Sequence, residues 1–207
     1  GAGWLATADM KPAQAHVPGT AANLGPGYDC LGIALDLHNR VSVWPSASPP
    51  PAHAMADEAI ERFFDLAGVE PRAVGWRIEG EVPPSRGLGS SVTLRLGLLA
   101  ALNAAHERPL AAQALYQACS DLEGHPDNAA PAQFGGFISA LPDTHYLRFE
   151  VGGELKFVLL VPEFGIETAA ARSVLPEMVP RRDALSNTAH AALLTAAFAA
   201  RRYEMLR

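Results

Sequence analysis

Three observations predict a mixed α+β fold for this chain. Segments with strand-like alternation interleave with segments of helical spacing, and loops rich in glycine and proline separate them. The 207 residues are 49% hydrophobic and 18% charged, enough to bury the core of one large domain or two small ones.

In chain order, His16 and Val17 read as a strand-like piece that runs into a shaped loop over 18–27. Three glycines and two prolines in those ten residues suit neither a helix nor a strand interior. Leu31, Ile33, Leu35, Leu37, Val41 and Val43 then alternate as strand residues do, and a Pro/Ser-rich connection follows over 44–51. Ile60, Phe63, Phe64 and Ala67 share one face of a helix over 52–68, with Gly68 as its stop. Val74, Trp76 and Ile78 alternate in a strand over 74–82. Ser90 and Ser91 are good N-cap residues for the next helix, which carries Val92, Leu94, Leu96, Leu98, Leu99 and Leu102. Gly97 costs that helix about 1 kcal/mol relative to alanine. A second helix is expected over 110–122, a loop over 123–131 and a strand over 134–141. The almost wholly apolar stretch 155–161 reads as a strand buried on both faces, and 168–175 and 184–203 are helical by composition. Val151, Gly152 and Gly153 form the best hinge, dividing a unit over 1–152 from the opening of a second over 153–207.

Composition narrows the function. Sixteen basic against 22 acidic side chains give a net charge of -6, and no basic run exceeds the pairs Arg181-Arg182 and Arg201-Arg202, so no nucleic-acid partner is expected. The longest apolar run, over 191–200, is half of the roughly 20 residues a membrane span needs. Residues 1–9 lack a basic segment of the signal-peptide kind, and Cys30 and Cys119 are too few for a disulfide framework or a Cys-rich zinc site. A cytoplasmic setting is expected. The only lysines, Lys11 and Lys156, do not follow glycine, which excludes a nucleotide loop of the G-x-x-x-x-G-K-[ST] type.

Three loops remain for chemistry. In Gly87-Leu88-Gly89-Ser90-Ser91 the glycines let the backbone approach an anion, and the following helix offers unpaired N–H groups and the positive end of its dipole. Polyphosphate fits there, with Mg²⁺ on a serine hydroxyl and a carboxylate in place of a loop lysine. A plain capped turn is the alternative. A dinucleotide fingerprint is excluded, because its third glycine would fall on Val92. The second loop, Glu123-Gly124-His125-Pro126-Asp127-Asn128, continued to Gln133, is dense in hydrogen-bonding groups. His125 reads either as a site residue or as a structural donor, and no two histidines lie four apart, which excludes a helical zinc pair. In the third loop Asn23 and Asp29 are either site residues or makers of Asx turns.

Taken together the loops carry a resemblance. Residues 18–32, with Asn23-Leu24-Gly25-Pro26-Gly27-Tyr28-Asp29, the loop 83–91, and His125-Pro126-Asp127-Asn128 with Ala130-Pro131 resemble, in order and spacing, the homoserine kinases of the GHMP small-molecule kinase superfamily. Thr168-Ala169-Ala170-Ala171-Arg172, followed by Leu175-Pro176, is similar to a further segment of that family. The resemblance implies a two-layer GHMP-kinase-type N-terminal domain (ribosomal-protein-S5-domain-2-like), followed by part of a ferredoxin-like C-terminal domain. It implies ATP-dependent phosphorylation of L-homoserine, a step toward threonine. Pro83, Pro84, Ser85, Arg86, Gly87, Leu88, Gly89, Ser90, Ser91, Val92 and Thr93 would cradle ATP. Ser91 and Glu123 would hold Mg²⁺, with Asp121 or an indirect role for Glu123 left open. Asn23, Asp29, His125, Asn128 and Arg172 would hold homoserine, Arg172 by its carboxylate. Thr168 would sit near the transferring phosphate, and Asp29 is either a base or, as favoured here, the partner of the substrate ammonium.

Several residues depart from that pattern. Ala22 replaces a usual serine, Tyr28 a phenylalanine, and Val92 and Thr93 two alanines; Arg95 stands where small residues are usual, adding charge near the phosphates or pointing to solvent. The family continues beyond the matched region with another glycine-rich motif and another substrate arginine, so a truncated chain is expected. Its apolar faces over 157–161 and 193–198 would then be partly uncovered, giving self-association, as in a homodimer, or low stability. The rival readings are another GHMP kinase, of the mevalonate or sugar type, and a catalytically inactive nucleotide-binding remnant.

Overall fold

A computed structural model describes residues 10–48, 50–143, 145–161 and 168–206. Strands β1 (Ala13–Asn23), β2 (Gly27–Pro45), β3 (Val74–Gly80), β4 (Phe137–Ala140) and β5 (Tyr146–Phe149) form one antiparallel sheet. The 19-residue β2 is its spine. One edge of β2 pairs with β1; the other is shared, β3 taking residues 39–45 and β4 residues 31–33.

The strand β1 corrects the expected loop over 18–27. Pro18 and Gly19 lie inside the strand, and only residues 24–26 turn. Proline is tolerated because β1 pairs with β2 alone and its register shifts between Pro18 and Thr20. Across that irregularity the alternating apolar residues of β2 divide between two clusters, Leu31, Ile33 and Leu35 in one and Val41 and Val43 in the other.

Helices α1 (Ala54–Ala67), α2 (Ser90–Ala105), α3 (Ala112–Glu123) and α4 (Pro126–Phe134) build the larger cluster with Val17, Val41, Val43 and Ile138. Gly68 ends α1 in the left-handed conformation, its N–H bonded to the Phe64 carbonyl. The helix α2 is buried nearly all round. Gly97 permits that depth, since a Cβ there would lie 2.4 Å from Val41 Cγ2.

The helix α4 replaces much of the loop expected over 123–131. Pro126 suits its first position, and Asp127 favours the positive end of the dipole. Pro131 argues against a helix in the sequence, having no N–H for the Asp127 carbonyl four residues back. That carbonyl lies against Gly32 of β2, where a Cβ would come within 1.8 Å of its oxygen.

Helices α5 (Thr168–Ser173) and α6 (Arg181–Ala199) follow, with a 3₁₀ turn over Tyr203–Met205. Phe198 is buried, stacked on Phe137 at 3.9 Å, and Tyr203 Oη accepts the Gly152 N–H at 2.8 Å, while Leu193 stays exposed. The expected strand over 155–161 does not form. Among the described residues it has no ladder partner, and Val158 and Leu160 are 88% and 92% exposed. Apolar composition does not make a strand by itself: without a neighbouring strand among the described residues, its N–H and C=O groups have no ladder to join. Among the described residues no helix is long and apolar enough to cross a membrane.

Candidate active site

The loop before α2 is held at both ends by a residue absent from the expected site residues. Asn39, buried in β2, accepts the Val82 N–H at 3.1 Å and donates to Thr93 Oγ1 at 2.9 Å, gripping the strand exit and the first turn of α2. Its mid-strand position, amid apolar alternation, was the available signal. Between those grips the backbone enters the left-handed region at Ser85, Gly87 and Gly89. Leu88 is buried as an anchor, and its carbonyl accepts the Thr20 N–H at 3.1 Å. Gly89 itself is the N-cap, not Ser90 or Ser91, and no side chain caps the helix. Ser90 and Ser91 are therefore helical, and the start of α2 has no side-chain cap to compete with an anion.

Beside that helix end, Ser91 Oγ donates to Glu123 Oε2 at 2.9 Å, bringing together the two expected metal ligands from α2 and α3. Asp121 instead pairs with Arg62 at 3.0 Å. Arg95 does not point to solvent. Its Nη1 donates to Glu123 Oε1 and its Nη2 to Glu58 Oε2, both at 2.8 Å. Burial works against the guanidinium charge, and the hydrogen bonds it donates to Glu123 and Glu58 outweigh that, so Arg95 is held more firmly charged than usual.

The second cluster lies at the turn between β1 and β2. Asn23 and Asp29 both have positive φ, and Asn23 Oδ1 accepts the Asp29 N–H at 2.8 Å. Asparagine and aspartate tolerate that conformation better than most side chains. The Asp29 carboxylate takes a two-pronged bond from Arg172 of α5, Nη1 to Oδ2 at 2.9 Å and Nη2 to Oδ1 at 2.5 Å. The same guanidinium sits 5.3 Å from the centroid of the Tyr28 ring. His125 Nδ1 lies 2.6 Å from Oδ1 of Asp127, a buried acid absent from the expected site residues. Asp29, His125 and Asp127 present ligand atoms within 4.8 Å of one another. Asn128 Oδ1 accepts the Thr20 hydroxyl at 2.6 Å. A Cβ on Gly89 would lie 2.2 Å from Thr20 Oγ1 and 3.4 Å from Asn128 Oδ1, so this cluster and the glycine loop meet at Thr20.

Asn23, Asp29, His125, Asn128 and Arg172 are thus gathered in one cluster with Asp127, and Ser91 and Glu123 form a separate pair. Arg172 and Asp29 pair with each other. The backbone of Thr168 opens α5, and its side chain lies outside the described residues. Acids and a guanidinium facing one another can receive a small ligand that carries both charges.

The hydrogen bond to Asp127 raises the pKa of His125 above 6.5, and burial opposes the rise less strongly. The protonated imidazole therefore favours the folded state. That contribution is complete below the unfolded value near 6.5 and is lost as pH rises through the higher folded value. Thermal melts across this range are expected to show a fall in stability that His125→Gln lacks; identical pH profiles would count against a charged pair.

Comparison with known proteins gives this geometry its setting. The sequence profile of the GHMP kinases N terminal domain matches residues 54–136, which span α1 to α4. A homoserine kinase of Clostridium beijerinckii is 37% identical over 206 residues, covering 93% of this chain and 69% of that relative. The chain belongs to the homoserine kinase family. Another homoserine kinase, from Gloeobacter violaceus, is 40% identical over 203 residues, covering 89% of this chain and 68% of its own length. The crystal structure of the Cytophaga hutchinsonii homoserine kinase shares the fold, with a TM-score of 0.82 at 19% identity over 99% of this chain and 72% of that one. Within a homoserine kinase fold, Arg95 stands on the helix that follows the glycine loop and bonds one carboxylate from each of two other helices, Glu58 of α1 and Glu123 of α3.

Proposed function

We propose that the chain transfers the γ-phosphoryl group of ATP to the side-chain hydroxyl of L-homoserine, giving O-phospho-L-homoserine and ADP. The observation that carries this reading is the Asp29–Arg172 pair, a matched acid and guanidinium beside a glycine loop that opens a helix. The homoserine kinase relatives support it. Homoserine brings an ammonium and a carboxylate of its own. Asp29 takes the first and Arg172 the second, each exchanging its present partner for the substrate's opposite charge. Asn23 holds the Asp29 backbone, while Asn128 and His125 face the hydroxyl. Residues 83–93 hold ATP, with the backbone N–H groups at the start of α2 directed to its phosphates.

Ser91 Oγ and Glu123 Oε2 are hard oxygens 2.9 Å apart at the end of this loop, a donor set that suits Mg²⁺. Bound there, the ion would neutralise charge on the phosphates. The homoserine oxygen attacks phosphorus as the bond to the ADP oxygen breaks, and the hydroxyl proton leaves to water. Such a transfer asks the protein chiefly for positioning and charge neutralisation, so Asp29 serves binding and Thr168 stands near the transferring group. The same reading gives 1–152 to the ATP-binding domain and 153–207 to part of a second, ferredoxin-like domain.

A coupled ADP-release assay across alcohols tests this. Homoserine is expected to be turned over, and mevalonate and sugars not. Asn23→Gly, which keeps the left-handed backbone and removes the amide, is expected to abolish the homoserine response while ATP still binds. Turnover of mevalonate or a sugar with homoserine inert would move the chain elsewhere in the superfamily, and ATP binding with no turnover would make it a nucleotide-binding unit.

A further inference from the structure

We propose that Arg95 is a positioning residue that sets how strongly the Ser91–Glu123 pair binds a divalent cation; the proposal rests on the reading of those two residues as the cation ligands. Three facts lead to it. Arg95 lies one helical turn beyond Ser91 on α2, so both side chains leave the same face of the helix. Its guanidinium occupies Glu123 Oε1, while Ser91 holds Oε2, so the carboxylate is oriented with one oxygen toward the serine. Its second prong reaches Glu58, a half-exposed acid on α1 that shares the positive charge.

The consequences are geometric and electrostatic. Fixing Oε1 prevents Glu123 from offering both oxygens to an ion, leaving Oε2 as the metal-facing atom. A guanidinium one carboxylate away also repels a doubly charged ion. Arg95 therefore holds the site weak and single-pronged, so that an ion bound there depends on nucleotide phosphates for much of its coordination. Glu58 moderates this by taking part of the guanidinium's charge. Arg95 and Glu58 should thus act in opposite directions, a pattern that a strut between α1, α2 and α3 would not produce.

The test titrates Mn²⁺ into the ADP-saturated chain and counts the protein-bound ion by its EPR signal, with thermal melts alongside. Arg95→Met, close in length and uncharged, is expected to tighten Mn²⁺ binding about tenfold, whereas Arg95→Lys keeps it near the parent value. Glu58→Gln is expected to weaken it a few-fold while the fold stays intact, because its side chain is 52% exposed. Glu123→Gln separates the two readings. If it leaves Mn²⁺ binding unchanged, Ser91 and Glu123 are not the ligands. If it weakens binding and Arg95→Met does not tighten it, the role given to Arg95 is overturned. Should Arg95→Met fail to fold, Glu58→Gln decides alone, with unchanged or tighter binding overturning the proposal.

Discussion

Arg172→Lys is expected to lower kcat/KM for homoserine about 100-fold while leaving ATP binding unchanged, as steady-state kinetics and nucleotide titration would show. Lysine keeps the charge and loses the planar fork. In the structure that fork meets both oxygens of Asp29, at 2.9 and 2.5 Å, and lies over the Tyr28 ring. A substrate carboxylate has the same two-oxygen geometry, so the surface that fits Asp29 fits the ligand. The loss should appear with substrates carrying the carboxylate. Asp29→Asn should reproduce it through the ammonium, and unchanged kcat/KM in both variants would remove this pair from the substrate's path.

The second large effect is on folding. Gly32→Ala is expected to cost more than about 3 kcal/mol of stability in denaturant unfolding, enough to deplete the folded chain. The added methyl would sit 1.8 Å from the Asp127 carbonyl oxygen, a backbone atom at the start of α4. Relief requires α4 to move away from β2, which would carry His125, Asp127 and Asn128 with it. Gly25→Ala offers a contrast: its φ is +82° but nothing lies within 4 Å of the new Cβ, so its cost should be limited to about 1 kcal/mol of backbone strain. Equal stability losses in the two variants would show that close packing at Gly32 is not the cause.

Much of this arrangement is legible in the sequence because it rests on local chemistry. Periodicity and a glycine stop locate α1; the loop 83–91 announces α2; and the residue types around Asn23, His125 and Glu123 mark the candidate site. The misreadings share a cause, since each depends on what lies alongside. Pro18 suggests a loop until β1 proves to be paired on one side only. Pro131 suggests a break until the carbonyl it cannot serve is found against Gly32. The apolar run over 155–161 suggests a buried strand, yet among the described residues no neighbouring strand pairs with it. Four-residue β5 is too short to show a period of its own. Partnerships across the chain are the least legible: Asp29 and Arg172 are 143 residues apart, and Asp127 is inconspicuous among three other polar residues of its motif until its burial is seen.

The long spine strand has a consequence for how such a chain can change over generations. One end of β2 presents Asp29, and Asn39, further along, grips the glycine loop. Side chains on a strand alternate between faces, so inserting or deleting one residue between these points would turn one end over relative to the other. Point substitutions can adjust either end separately, but a change in length there disrupts both at once. Insertions are better borne in the connection after Pro45, outside the ladder. The two tasks proposed for these ends, holding a nucleotide and holding an amino acid, would therefore be inherited together as one fixed count of residues.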